Sequence, residues 1–485
     1  MPEKEIALHA DCRCPEGEAA GADLVARLKV AIGASNVLTA PSDIASRLTE
    51  DRGLYAGTAM AVLCPGNTAE VAHCVRLCHA ADVPIVPQGG NTGLVGGGVA
   101  NGGMILSTQR LSRIRDVDAE NATMTVEAGC ILANIQQAAD DIQALFPLSL
   151  ASEGTCQIGG NLATNAGGTA VLRYGTTRDL VLGIEVVLPD GRILNDLNGL
   201  RKNNTGYDLR NLFIGAEGTL GIITAAVLKL FPKPITRATA LVACSGPDTA
   251  QTLYRRMRAG NADTLSTFEY IERLGLQMVF DHAQGCRDPM SQSHPAYCLI
   301  ELSSANAQDT LDLRLETALA QAFEAEEIAD AVVAASESQK EALWALRENL
   351  AEAQKPEGAS IKHDVSVPVS RVADFLNSAK AACAAHMPGV RLCPFGHFGD
   401  GNIHFNLSRP KEMSDVDFLA EYPAFNRIVH DIVHAMNGSI SAEHGIGQVK
   451  RAELRRYKDP VALELMQQIK RVIDPGNLMN PGKVL

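Results

Sequence analysis

No run of eighteen apolar residues occurs in this 485-residue chain, so a membrane-spanning helix is not expected. Blocks of five or six like charges are also missing, and the formal net charge is −13, which argues against nucleic acid as a partner. The first twenty residues carry acids early and lack a basic start followed by an apolar core. Neither a secretion signal nor a transit peptide is therefore expected, and the default compartment is the cytoplasm. Twelve cysteines show no paired framework, which suits a reducing compartment. Cys74 and Cys78, flanked by His73 and His79, have i, i+4 spacing without a second ligand pair, the pattern of a packed helix rather than a metal site. Neither an H-E-x-x-H helix nor a G-x-S-x-G elbow is present, which disfavours a metal or serine hydrolase. The dinucleotide fingerprint G-x-G-x-x-G between strand and helix and the P-loop are absent too, as are internal repeats and low-complexity segments.

What is present describes a globular protein, 46% apolar and 20% charged, too long for a single core. Periodicities predict a helical lead-in over residues 1–55, with GADLVARLKVAIG amphipathic and Ser42 capping the helix that follows. Short strands, helices and glycine loops alternate over 56–235. A composition shift after FPKPITR opens a third region, 236–410. Long helices, one of them spanning the Ala-rich stretch Asp309–Ser338, alternate there with strands such as AYCLIELSS and KHDVSVPV. The expected architecture is an antiparallel sheet with helices on one face. Residues 411–485 read as a helical segment that completes the site and packs on the second region.

The stretch PQGGNTGLVGGG, Pro87 to Gly98, holds six glycines in twelve residues directly after the strand-like VPIVP. Such a loop brings many backbone N–H groups close to one anion, and a bound nucleotide is the first expectation. EGTCQIGGNLATNAGG (Glu153–Gly168) and FIGAEGTLGIITAAVLKLFP (Phe213–Pro232) add two further loops, as for one extended ligand. These three segments resemble the flavin domain of the vanillyl-alcohol oxidase (p-cresol methylhydroxylase, PCMH) family. The resemblance implies an α+β fold, a PCMH-type FAD-binding domain plus a cap domain of antiparallel sheet and helices. It puts Gly89, Gly90, Asn91, Thr92 and Gly93 on the FAD pyrophosphate, with Pro87 at the loop entry and Leu94 and Val95 turning the chain. Gly154, Thr155, Gly159, Asn161, Thr164, Asn165 and Gly168 would face the flavin. Glu217, Gly218, Gly221 and Ile222 would reach the adenine-ribose side, and Asn480 of the C-terminal signature joins the cofactor contacts. Relatives with covalent FAD carry His where this loop has Asn91. Although some form a cysteinyl link near Cys156, the expectation here is non-covalent FAD.

In CPFGHFGDGNIHFNL, His397 and His404 flank a Gly-Asp-Gly turn, so the imidazoles can leave neighbouring strands of one hairpin and converge. SAEHGIGQVKR then supplies Glu443 and His444. Two imidazoles and a carboxylate form an open-sited divalent set, with zinc the commonest fit and manganese or cobalt the alternatives. Asn406 lies two residues beyond His404 on the same strand face, positioned for substrate oxygens.

With the flavin segments, these motifs resemble the metal-containing D-2-hydroxy-acid dehydrogenases, the D-2-hydroxyglutarate dehydrogenases in particular. The resemblance implies His397, His404 and Glu443 as metal ligands, His444 as catalytic base, and Arg347 and Lys362 as partners of substrate carboxylates. It also implies oxidation of a D-2-hydroxy acid by hydride transfer to FAD, an electron-transfer flavoprotein or quinone as acceptor, and a homodimer. Ala351 departs from the glutarate pattern, in which a hydroxyl residue stands one turn beyond the arginine; His363 either compensates or packs. D-lactate or a larger D-2-hydroxy acid is the alternative substrate. A metal hydrolase, or a flavin-holding subunit without redox chemistry, is the alternative of a different class.

Overall fold

Short, mostly apolar strands joined by a helix are the mark of a parallel sheet buried on both sides, and the N-terminal part of the computed structural model has that form. Residues 18–50, 53 and 55–485 are described. Two compact units emerge: one from residues through Ala166, Thr176–Phe231 and His444–Leu485, the other from Gly167–Gly175 and Pro232–Glu443. The 411–485 stretch is thus divided between Glu443 and His444.

In the first unit, Ala61–Leu63, Met104–Ser107 and Ile85–Gln88 pair in parallel, with Val37–Leu38 antiparallel at the edge. Helices Glu18–Ile32 and Thr68–Ala80 pack on them through Leu24, Leu28, Val71, Cys74, Val75 and Cys78. The second of these helices starts sharply because Asn67 accepts the Glu70 N–H (3.0 Å) and Glu70 in turn accepts from Gly66 N (2.7 Å). Cys74 and Cys78 face the core, with burial pushing the Cys74 thiol up to about 12, while His73 and His79 point outward. A packed helix accounts for them. Ser42 is not a cap: the helix is Pro41–Leu48 with Ala40 at the N-cap, since proline suits the first turn and Ser42 already lies inside it. A five-stranded antiparallel sheet completes this unit, ordered Ile114–Asp118, Thr123–Glu127, Ile222–Lys229, Val181–Val187, Ile193–Asp196.

The second unit is built on seven antiparallel strands, ordered Asp330–Val333, Thr236–Cys244, Ala296–Ser304, Leu265–Glu272, Arg391–Gly396, Asn402–Ser408, Ser360–Ser366. Helices cover both faces, not one. Phe268 packs on Tyr254 of helix Pro247–Asn261 (ring centroids 5.2 Å apart), whereas Ile271, on the other face, clusters with Leu276, Leu343 and Leu346. The strands are apolar on both sides, and a one-sided cover would leave one side wet. The stretch 309–338 is not one helix either. Helix Leu311–Glu324 ends near the left-handed Glu326 (φ 57°), and Asp330–Val333 then becomes an edge strand. Among the described residues no helix is long and apolar enough to cross a membrane, and none of the ten described cysteines forms a disulfide.

Candidate functional site

Strand Ile85–Gln88 delivers the chain into the glycine loop, which borders a cleft open to solvent. Pro87, Gly89, Gly90, Asn91, Thr92 and Gly93 line it, together with Gly159, Asn161, Thr164, Glu217, Gly218, Gly221, Ile222 and His444. The loop approaches its neighbours too closely for side chains. A Cβ on Gly90 would stand 2.4 Å from the Thr155 carbonyl oxygen, and one on Gly218 would stand 2.9 Å from Pro87. At Gly93 and Gly160 a Cβ would meet nothing within 4 Å, so the backbone there borders open space. Asn161 Oδ1 is buried without a hydrogen-bond partner, although it lines the cleft. Bare backbone around open space and an orphaned polar atom are what a large, polar ligand would satisfy.

On the Glu269 face of the seven-stranded sheet, polar groups gather where strands Arg391–Gly396 and Asn402–Ser408 form a hairpin. Gly401, at φ +90°, closes its turn; a Cβ there would lie 2.2 Å from the Val367 carbonyl oxygen. His397 follows the first strand and His404 sits on the second, their rings 5.6 Å apart at 76°. With Glu443 they offer three ligand atoms within 4.8 Å of one another. Glu443 is held at both ends, its N–H donating to Asp364 Oδ2 (2.9 Å) and its Oε1 accepting from Gly168 N (2.6 Å). Asp364 pairs in register with His404 and accepts from Asn402 Nδ2 (2.9 Å).

Glu269, 1% exposed, accepts His397 Nδ1 on one oxygen and Arg347 Nε on the other, each at 2.5 Å. Burial alone would raise its pKa; Arg347 and His397 outweigh that and hold the carboxyl at about 2. Burial likewise disfavours charge on His397, yet Glu269 and Glu443 raise it to about 9. Two carboxylates thus flank one imidazole, Glu269 at Nδ1 and Glu443 3.9 Å from Nε2. The nitrogen and oxygen donors fit a borderline divalent ion.

A family model described as "FAD linked oxidases, C-terminal domain" matches residues 233–484, and an "FAD binding domain" model matches 59–196. The chain belongs to the FAD-linked oxidase family. It is 38% identical over 467 residues to the mitochondrial D-2-hydroxyglutarate dehydrogenase of Bos taurus, covering 96% of this chain and 83% of the relative. It is 37% identical over 460 residues to the D-2-hydroxyglutarate dehydrogenase of Xanthomonas citri pv. viticola, covering 94% and 96%. Among solved structures, p-cresol methylhydroxylase with substrate bound shares the fold, with a TM-score of 0.75 at 16% identity over 96% of this chain and 97% of that one. The fold is α+β with a PCMH-type FAD-binding domain, and the protein is an FAD-linked oxidoreductase.

Other residues singled out from the sequence have varied settings. Thr155 does not line the cleft but a second hollow, with Arg47, Gly90 and Asn91. Asn165 ends helix Ile158–Thr164 in the left-handed region, its side chain accepting from Arg178 N (2.9 Å). The Gly168 N–H is spent on Glu443. Leu94 and Gly154 do not line the cleft. Asn480 ties the cleft wall together by donating to the Gly97 and Glu217 carbonyls (3.0 and 2.7 Å). The Glu217 carboxylate accepts the Ile446 and Gly447 N–H groups (2.7 and 2.8 Å), bracing the loop after His444. In the second unit, Arg347 lies over the Phe395 ring (5.0 Å), Lys362 is exposed opposite Asn406 in register, and Asn406 donates to Gln354 (3.0 Å). His363 points to the opposite face and packs on His430 and Phe405. Ala351 is exposed in the turn Leu350–Ala353. Glu269, Asp364 and Gln354 were not anticipated; an acid between two aromatic residues inside a strand, FEY, was the one available signal for Glu269.

Proposed function

We propose that the protein oxidises a D-2-hydroxy acid, D-2-hydroxyglutarate foremost, to the 2-oxo acid, using non-covalent FAD and a divalent ion, zinc first, held by His397, His404 and Glu443. The observation that carries this is the convergence of two imidazoles and a carboxylate on one sheet face beside the Arg347–Glu269 pair, in a chain of the FAD-linked oxidase family. The similarity to two D-2-hydroxyglutarate dehydrogenases supports the substrate class.

The FAD supplies a two-electron acceptor and the metal ion supplies charge that lowers the pKa of the substrate hydroxyl. Arg347 and Lys362 hold the substrate carboxylates, the guanidinium by paired N–H groups, and Asn406 binds a substrate oxygen. His444 takes the hydroxyl proton on an imidazole nitrogen while the α C–H bond releases its electron pair as hydride and the C–O bond becomes a carbonyl. Cleft residues Gly89 to Gly93, Asn161 and Gly218 hold the dinucleotide. Burial raises the Cys156 thiol and disfavours the thiolate that a cysteinyl bond needs, and Asn91 has no nucleophile; both support non-covalent FAD. Reoxidation by an electron-transfer flavoprotein or quinone, a homodimer and a cytoplasmic location rest on the sequence and its resemblance.

A second reading, D-lactate or a larger D-2-hydroxy acid, is favoured by Ala351. Parallel anaerobic addition of D-2-hydroxyglutarate, D-lactate and D-malate separates them. D-2-hydroxyglutarate is expected to bleach the flavin fastest; faster bleaching by D-lactate moves the assignment to the monocarboxylate, and no bleaching by any of them refutes the reaction class.

A further inference from the structure

Glu269 has two carboxylate oxygens and two N–H donors, one on each, and is almost wholly removed from water. Its partners come from different elements: His397 from the hairpin and Arg347 from helix Glu337–Glu348, which Leu343 and Leu346 pin to the core. An acceptor on Nδ1 leaves Nε2 of the same ring as the ligating nitrogen, and Nε2 is the atom that lies 3.9 Å from Glu443 Oε1. On Arg347 the same carboxylate occupies Nε and leaves the two terminal nitrogens for an anion.

We propose that Glu269 is a positioning residue that ties the metal centre to the substrate-binding cation, fixing the His397 tautomer and the Arg347 orientation through one carboxylate. The inference rests on reading His397 as a metal ligand and Arg347 as the substrate cation. It adds that the two sites are coupled: loosening Glu269 weakens metal binding before substrate is added and also raises KM for the acid. A glutamine has a single acceptor oxygen and cannot serve both donors.

The test compares wild-type and Glu269→Gln holoenzyme, FAD-loaded, in Zn²⁺ titrations against a chromogenic chelator without substrate. The variant is expected to bind Zn²⁺ about 10- to 100-fold more weakly, and at saturating Zn²⁺ to show a raised KM for D-2-hydroxyglutarate with a smaller change in kcat. Variant affinity within twofold of wild type overturns the inference alone, whereas a wild-type protein that binds no Zn²⁺ overturns the functional reading and this inference with it. If the variant does not fold, ¹⁵N-histidine NMR of the zinc-loaded wild-type protein decides. His397 protonated at Nδ1 and metal-bound at Nε2 supports the positioning role, and the reverse tautomer overturns it.

Discussion

Replacing Gly167 by alanine puts a methyl group 2.4 Å from Glu443 Oε1 and 3.2 Å from its Cγ and Cδ. The obstacle is the far end of a side chain, so the carboxylate shifts and the backbone stays. That shift breaks the 2.6 Å bond from Gly168 N to the same oxygen. A hydrogen bond to a charged group contributes about 1.5–3 kcal/mol, which translates into roughly a 10- to 100-fold loss of metal affinity. The same bond contributes to folding, so the protein should still fold but melt at a lower temperature. Zn²⁺ binding by chelator competition, with FAD absorbance and thermal melting as controls, measures the effect. Unchanged Zn²⁺ affinity in a folded Gly167→Ala protein would refute Glu443 as a ligand held by this backbone contact.

Further outcomes follow from the same geometry. His444→Asn should lower kcat by about 10²–10⁴ while flavin and metal contents stay at wild-type levels; an unaffected rate removes the base assignment. Gly90→Ala, whose Cβ meets the Thr155 backbone at 2.4 Å, should purify with little FAD, read from the absorbance ratio, and full flavin occupancy would show that the loop does not cradle it. Glu127 accepts from Arg113 and Arg115. Burial raises its carboxyl, but those partners outweigh it and hold it below its ordinary value of 4.5. The pair's stabilisation is therefore full above pH 4.5 and lost as the pH falls through the lowered folded-state value. Glu127→Gln should cost more than about 1 kcal/mol at pH 7 in urea unfolding, with the gap to wild type narrowing in acid. A pH-independent gap would contradict the pairing.

The features legible in the sequence were those carried by contiguous residues. Pro87 to Gly98 announced a loop of close backbone approach, which lines the cleft, and the His397–His404 spacing announced a hairpin. The positioning groups were not legible. Glu269 meets Arg347 and His397 across 78 and 128 residues, and Asp364 reaches Glu443 across 79. No local period encodes such pairings. One helix start was misread for a local reason: at Pro41–Leu48 proline at the first position set the boundary, overriding the hydroxyl preference that pointed to Ser42. Sheet cover was legible and was misread: runs such as AYCLI have no polar face to leave in water, so helices on both faces follow from the sequence.

The central claim is that a metal held by His397, His404 and Glu443 enables a D-2-hydroxy acid to reduce the flavin. Anaerobic titration with D-2-hydroxyglutarate, followed at the oxidised-flavin absorbance in metal-loaded, chelator-stripped and Zn²⁺-restored protein, tests it most directly. Rapid bleaching when loaded, loss on stripping and recovery on restoration are predicted; equal bleaching in stripped protein, or none in any form, would contradict the account.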